Sequence, residues 1–201
     1  HPVTQALVPV IAEFSVPQEQ LLEIIDGMEM DLQQSRYLDF KALSLYCYRV
    51  ASVVGLLAAE IFGYQDRKTL KYAHDLGMAF QLTNIIRDVG EDARRGRVYL
   101  PMDELKRFEV PVADILNARH SDNFRKLMEL QIERAEQFYA QAMSMLPAVD
   151  RKTQRPGLVM AAIYRTLLEE IKNDGCLVLN QRTSLTPIRK LWIAWRTWIK
   201  G

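Results

Sequence analysis

Four polar side chains, Gln81, Asn84, Asp88 and Asp92, recur at intervals of three and four residues in the run Gln81–Pro101. On an α-helix those intervals make one face. Asp88 and Asp92 then stand about 40° apart, one turn above the other. Mg²⁺ prefers hard oxygen ligands, keeps several waters, and is held by one or two carboxylates together with substrate phosphate oxygens. A D-x-x-x-D pair on a helix supplies that arrangement, and Asn84 and Gln81 extend it with neutral hydrogen-bonding groups or a further metal ligand. The same spacing is common on solvated helices, where Asp88 and Asp92 would instead pair with Arg87, Arg94 or Arg95. The surroundings favour the metal reading. Apolar positions lead into the acids, and Arg94, Arg95 and Arg97 come next, with Tyr99 beyond. Carboxylate-held metal beside forked guanidinium donors is what a diphosphate requires.

Other chemistries find less support. His1, His74 and His120 are scattered, with no second His or Cys at metal spacing. No G-x-G-x-x-G, P-loop or G-x-S-x-G run is present, so the sequence offers no nicotinamide nucleotide site. With 26 basic and 25 acidic residues the net charge is +1, which argues against nucleic acid as the main partner. Cys47 and Cys176 lack C-x-x-C spacing and read as reduced thiols.

Positioning that polar face requires a framework of helices. The chain has 201 residues, 49% of them hydrophobic, enough for one cored domain. Apolar residues recur at helical spacing almost throughout, and no alternating β-branched run bounded by hairpin turns stands out. An all-α domain over 1–201 is expected. Helices are expected at about Val3–Glu13, from a Ser15 N-cap with Pro17 early in the helix to about Gln33, and from an Asp39 cap to Phe62. Asp26 and Asp31 lie five apart on different faces of the second helix and read as a solvated or internally paired end, not a metal pair. In the third, Ala51, Ser52 and Gly55 leave room beside the helix, either for close helix packing or for the wall of a lipid-sized cavity. Asp66 can cap the long helix that carries the polar face to Gly90 or Asp92. Next come a loop over Arg94–Pro101 and short helices at Met102–Phe108 and Val112–Asn117. Ser121 caps a helix to Met145, and another starts after Pro156-Gly157 and ends near a Gly175 C-cap. Leu177–Thr186 is expected to be irregular.

The last helix, Pro187–Lys200, combines three tryptophans with four basic residues. It suits a membrane interface or docking of its aromatics on the domain. No uninterrupted 18-residue apolar run suggests a transmembrane helix, and no signal peptide is visible. A cytoplasmic placement is expected, with peripheral contact at the inner membrane face if that helix meets a bilayer.

The run from Gln81 through Asn84, Arg87, Asp88, Asp92, Arg97 and Tyr99 to Pro101 closely resembles the second aspartate-rich motif of the squalene/phytoene synthase family. Tyr46-Cys-Tyr48-Arg-Val-Ala51-Ser-Val-Val54-Gly55 is similar to that family's cavity helix. Ala162-Ile-Tyr164-Arg165, with Arg182 after it, is similar to the family's late helix and its downstream segment. Asp26–Asp31 and Pro187–Trp192 look most like the bacterial presqualene-diphosphate synthases of hopanoid biosynthesis.

The resemblance implies an isoprenoid-synthase helical bundle around a deep apolar cavity, with two aspartate-rich motifs binding Mg²⁺–diphosphate. Asp88 and Asp92 would be second-motif metal ligands, with Asn84 a further one. Gln81, Arg87, Arg97, Tyr99, Ala51, Val54, Gly55, Tyr164 and Arg182 would contact substrate, and Tyr48 or the diphosphate itself would be the base. The implied reaction joins two farnesyl diphosphates into presqualene diphosphate or squalene, NADPH entering only if a reductive step ensues. The alternatives are phytoene synthesis from geranylgeranyl diphosphate, a non-catalytic helical lipid-binding protein, or a helical interaction module. No D-x-x-x-D precedes Asp88. The chain opens mid-pattern at His1-Pro2, so a longer protein carrying the first motif and the N-terminal helices is expected, and these 201 residues alone would be incomplete for catalysis.

Overall fold

Asp39 shows how these residues start helices: its carboxylate accepts the Ala42 amide proton at 2.8 Å and opens a continuous helical run to Phe62. The computed structural model describes residues 1–200. In chain order the helices are α1 (Pro2–Glu13), α2 (Gln18–Gln33), α3 (Phe40–Cys47), α4 (Val53–Phe62), α5 (Lys68–Arg94), α6 (Met102–Arg107), α7 (Val112–Leu116), α8 (Asp122–Met145), α9 (Arg155–Asn173) and α10 (Pro187–Lys200). A π-helical segment, Tyr48–Ser52, joins α3 to α4 without a break, and a 3₁₀ turn, Ala148–Asp150, precedes α9. The all-α expectation is met: no strand occurs among the described residues, and the single bridge pairs Arg36 with Val98.

Several helix ends obey their sequence signals. Asp66 Oδ1 accepts from the Lys68 amide, Ser121 Oγ from the Phe124 amide, and Gly175 takes a left-handed φ of 76°. One does not. Ser15 lies at φ 49°, α2 begins at Gln18, and Pro17 occupies the N-cap without a side-chain bond. A proline that cannot donate is tolerated there, because the first helical amides have no intrahelical partner in any case.

At about 40 Å, α5 is the axis of the bundle. It packs along α8 on one side and against α4 and the π-helical segment on the other, with α9 and α7 also touching it. The second contact is made backbone to backbone. A Cβ on Gly55 would stand 2.5 Å from the Ala73 carbonyl oxygen, and one on Gly77 would stand 2.6 Å from that of Ala51. Only glycine permits such an approach without displacing one helix. The N-terminal end of α5 is fixed by Asp150, whose carboxylate accepts the Gln65 amide at 2.7 Å, the Asp66 amide at 3.1 Å and the Thr69 hydroxyl at 2.6 Å. Cys47 and Cys176 are buried free thiols, as expected.

The helical run Phe40–Phe62 reaches a mean hydropathy of 1.6 and is long and apolar enough to cross a membrane by length and composition. The expectation that no such segment exists is corrected, since Lys41 and Arg49 interrupt the run without lowering its mean far. In the fold it is a wall of the bundle, with Leu43, Cys47, Val53 and Ala59 in the core.

Candidate functional site

The C-terminal half of α5 carries Gln81, Asn84, Asp88 and Asp92 on one face, and all four line one small polar pocket with Arg87, Tyr46 and Tyr99. Gln81 and Asn84 also line a second, mainly apolar cavity of about 330 Å³, walled by Ala51, Val54 and Gly55 with Gly77, Phe80 and Met160. The two spaces therefore share a border at Gln81 and Asn84. That border would suit a ligand with a charged head and an apolar tail, the head beside the acids of α5 and the tail along α4.

Electrostatics differ sharply between the two aspartates. Asp88 accepts from Arg87 Nε at 2.7 Å and from Arg182 Nε at 2.8 Å. Burial alone would raise its carboxyl, but these hydrogen bonds and the charges behind them hold it below the usual carboxylate range. Asp92 has no such guanidinium fork. Burial first and the Asp88 charge second push its carboxyl up to about 6, against the opposing pull of Arg95 and Arg97. Beside them Asn84 Oδ1 is buried with no hydrogen-bond partner, its amide nitrogen reaching Gln81 at 3.4 Å. Two carboxylates, one of them short of positive charge, and an orphaned amide oxygen form a hard-oxygen set that fits Mg²⁺. Among the described residues no three His, Cys, Asp or Glu side chains gather as a closed metal cage. The remaining positions then suit water and phosphate oxygens, as is usual for this ion.

The loop after α5 is tied to the end of α2. The Val98 amide donates to the Ser35 carbonyl, the Met102 amide to Tyr37, and Arg36 Nη1 to the Gly96 carbonyl. This brings Asp31 to the site. Its carboxylate accepts the Tyr99 hydroxyl at 2.7 Å and the Tyr46 hydroxyl at 3.0 Å, while Arg97 donates to its main-chain oxygen at 2.9 Å. Tyr99 stacks with Tyr37 and Tyr46, which are tilted to each other, all with centroids 5.3–5.8 Å apart. Burial, and after it the hydrogen bond to Asp31, pushes the Tyr99 phenol up to about 12. Asp26 faces Arg49 instead, so the two α2 acids are not a pair.

Most sequence-nominated residues meet here. Arg182 reaches Asp88 from the irregular stretch after α9, and Tyr164 lies beside Arg87 and against Phe80, with ring centroids 4.9 Å apart. Tyr48 does not join them. It lies 5.8 Å from the His74 ring, in a separate groove with Phe40 and Met78. The tyrosine at the acids is Tyr46, and the π-helical segment explains the exchange. Its i→i+5 bonds insert one extra residue into the turn, so the face continued upstream from Ala51 falls on Tyr46 instead of Tyr48. Asp31 is also outside the nominated set, because its distance from Asp26 says nothing of what the Arg36–Val98 bridge brings to it.

A family model described as squalene/phytoene synthase matches residues 1–189. The phytoene synthase of Arthrospira platensis is 38% identical across 95% of this chain and 66% of its own length. The chain spans between about half and two thirds of the length of the curated relatives it matches. Among solved structures, a dehydrosqualene synthase in complex with ligand superposes with a TM-score of 0.88 at 27% identity, over 98% of this chain and 70% of its own. The squalene synthase HpnC of Alicyclobacillus acidocaldarius gives 0.78 at 25% identity, over 87% and 66%.

Proposed function

Because this chain belongs to the squalene/phytoene synthase family, we propose that it forms the larger part of an enzyme that condenses two prenyl diphosphates head to head. The observation that carries this reading is the shared border at Gln81 and Asn84 between the acidic pocket and the apolar cavity. A prenyl diphosphate has that same division between charged head and hydrocarbon tail.

Asp88, Asp92 and the free oxygen of Asn84 would hold Mg²⁺. When bound, the ion supplies charge neutralisation to a departing diphosphate. Arg87 and Arg182, now committed to Asp88, and Arg97, bonded to the Asp31 main chain, would offer donors to diphosphate oxygens. The cavity wall of Ala51, Val54, Gly55 and Phe80 is hydrocarbon and presents no side-chain nucleophile able to capture an allylic cation. Attack by the alkene of the second substrate and loss of a proton would then close a cyclopropyl diphosphate. Tyr46 and Tyr99 both give their protons to Asp31, which leaves phenolic lone pairs free to face the pocket. The released diphosphate would receive the proton, or a phenol oxygen would take it while passing its own proton along the hydrogen bond to the Asp31 carboxylate.

Two substrate lengths fall within this reaction. Farnesyl diphosphate, giving presqualene diphosphate, is supported by the Asp26–Asp31 and Pro187–Trp192 segments and by the squalene-type names of the structural neighbours. Geranylgeranyl diphosphate, giving phytoene, is supported by the name of the Arthrospira platensis relative. Incubating the full-length protein with each diphosphate and Mg²⁺, and identifying products by mass spectrometry, separates them. Consumption of neither overturns the enzymatic reading and leaves a helical lipid-binding protein.

A further inference from the structure

No described residue of α10 lines the acidic pocket or the apolar cavity, so the helix takes no part in holding substrate there. It docks on α9 through a narrow strip. Among its described side chains Ile193 is the buried one, 8% exposed, and Arg189 Nη2 donates to Glu170 at 2.6 Å. The opposite face is apolar and open. Ile188, Leu191, Trp192, Trp195, Trp198 and Ile199 fall within an arc of about 120° at 100° per residue, and every one is exposed, Ile188 at 81% and Trp195 at 63%. An amphipathic helix ordinarily turns such a face inward. Here it points away from the core it could have joined.

The charges on the helix say what would cover that face. Lys190 and Arg196 flank the apolar arc on its two sides, both exposed, and Arg196 lies over the Trp192 ring at 5.2 Å. Arg155 of α9 lies 5.5 Å from the Trp198 ring, and Arg151 lines the cleft beneath the helix together with Arg189 and Arg196. Pro187–Lys200 contains no Asp or Glu. A second copy of the helix would therefore bring cations against cations with no carboxylate to meet them. A surface carrying fixed negative charge above an apolar layer complements both parts, and tryptophans with basic neighbours are suited to that boundary.

We propose that α10 docks the protein on an anionic bilayer, its tryptophan face lying in the plane of the interface and Lys190 and Arg196 at headgroup phosphates. This assignment is independent of the catalytic reading and would hold for a protein without turnover.

The three tryptophans of this chain are all in α10. Within these 201 residues, intrinsic tryptophan emission therefore reports on this helix alone. With vesicles of phosphatidylcholine containing about 30 mol % phosphatidylglycerol, the emission should shift to the blue and the protein should co-sediment, more weakly as salt screens the contact. Trp195→Glu and, separately, the pair Lys190→Glu with Arg196→Glu should each weaken binding by about tenfold or more with unchanged circular dichroism. All three positions are exposed, so the fold does not depend on them. Absence of binding by the unaltered protein overturns the proposal. So does self-association, seen by sedimentation equilibrium and lost in Trp195→Glu, if vesicles are not bound. Equal binding to pure phosphatidylcholine overturns the role given to the cations.

Discussion

Arg182 Nε reaches the Asp88 carboxylate at 2.8 Å across 94 residues of sequence. The contact depends on Gly90, two residues beyond Asp88 on α5. The Gly90 amide donates to the Val178 carbonyl at 3.1 Å, and a Cβ at Gly90 would stand 2.3 Å from the Leu179 oxygen and 2.6 Å from that of Val178. The absent side chain lets the segment after α9 lie directly on α5, and so carries Arg182 to the acids.

Gly90→Ala should therefore act on the site without touching a charged residue. The backbone at Val178–Leu179 must move away, destabilising the fold by about 1–3 kcal/mol and weakening the Arg182–Asp88 contact. Urea denaturation would give the first effect. Calorimetric titration with Mg²⁺ and inorganic pyrophosphate would give the second, as a lower affinity in the folded protein.

Asp92→Asn keeps the size of the side chain and removes a carboxylate from the proposed Mg²⁺ set. Affinity for Mg²⁺ with pyrophosphate should fall by about tenfold or more, with the helical content unchanged. Retained affinity would remove Asp92 from the ligand set.

Tyr46→Phe and Tyr48→Phe test the exchange made by the π-helical segment. The first removes a hydroxyl from Asp31, costing about 1 kcal/mol of stability, and should lower turnover of prenyl diphosphate by the full-length protein by about tenfold or more. The second changes a ring in the groove near His74 and should leave turnover within about twofold. The reverse ranking would show that the unshifted helical face is the functional one.

Asp150 gives a pH-dependent stability. Burial raises its carboxyl, but the Thr69 hydroxyl and the Gln65 and Asp66 amides outweigh that and hold it below the ordinary range. A carboxyl lowered on folding contributes stability above its unfolded pKa of about 4 and loses it as pH falls through the folded value. Asp150→Ala also leaves the Gln65 and Asp66 amides and the Thr69 hydroxyl unpaired, and should cost about 2–4 kcal/mol near pH 7. Chemical denaturation from pH 7 down to about pH 3 should show the gap between variant and parent narrowing below about pH 4.

The features legible in the sequence are those that lie on one element. Asp88, Asp92, Asn84 and Gln81 share α5, so helical spacing alone groups them, and Asp39, Asp66, Ser121 and Gly175 mark boundaries because their effects reach only three or four residues. Tyr46 is hidden because a π-helical turn leaves no periodic trace in a run as uniformly apolar as Leu43–Ala59. Asp31 is hidden because its partners, Tyr46 and Tyr99, lie 15 and 68 residues away and are joined to it through a bridge at Arg36 and Val98. Ala51, Ser52 and Gly55 present a choice between tight packing and a cavity wall. The fold uses them for both, with Gly55 against the α5 backbone and Ala51 and Gly55 along the cavity.

The π-helical segment divides the wall helix into two parts whose rotational settings are independent. Upstream, Tyr46 answers to the polar chemistry around Asp31. Downstream, Val54, Ala58 and Phe62 line the mainly apolar cavity. Substitution downstream can then lengthen or shorten the cavity while the phenol keeps its aim. Deleting a single residue within Tyr48–Ser52 would do the opposite: it would restore an ordinary helix, turn Tyr46 by about 100°, and leave the cavity wall where it was. One extra residue thus separates the part of the helix that sets what fits from the part that faces the reacting end.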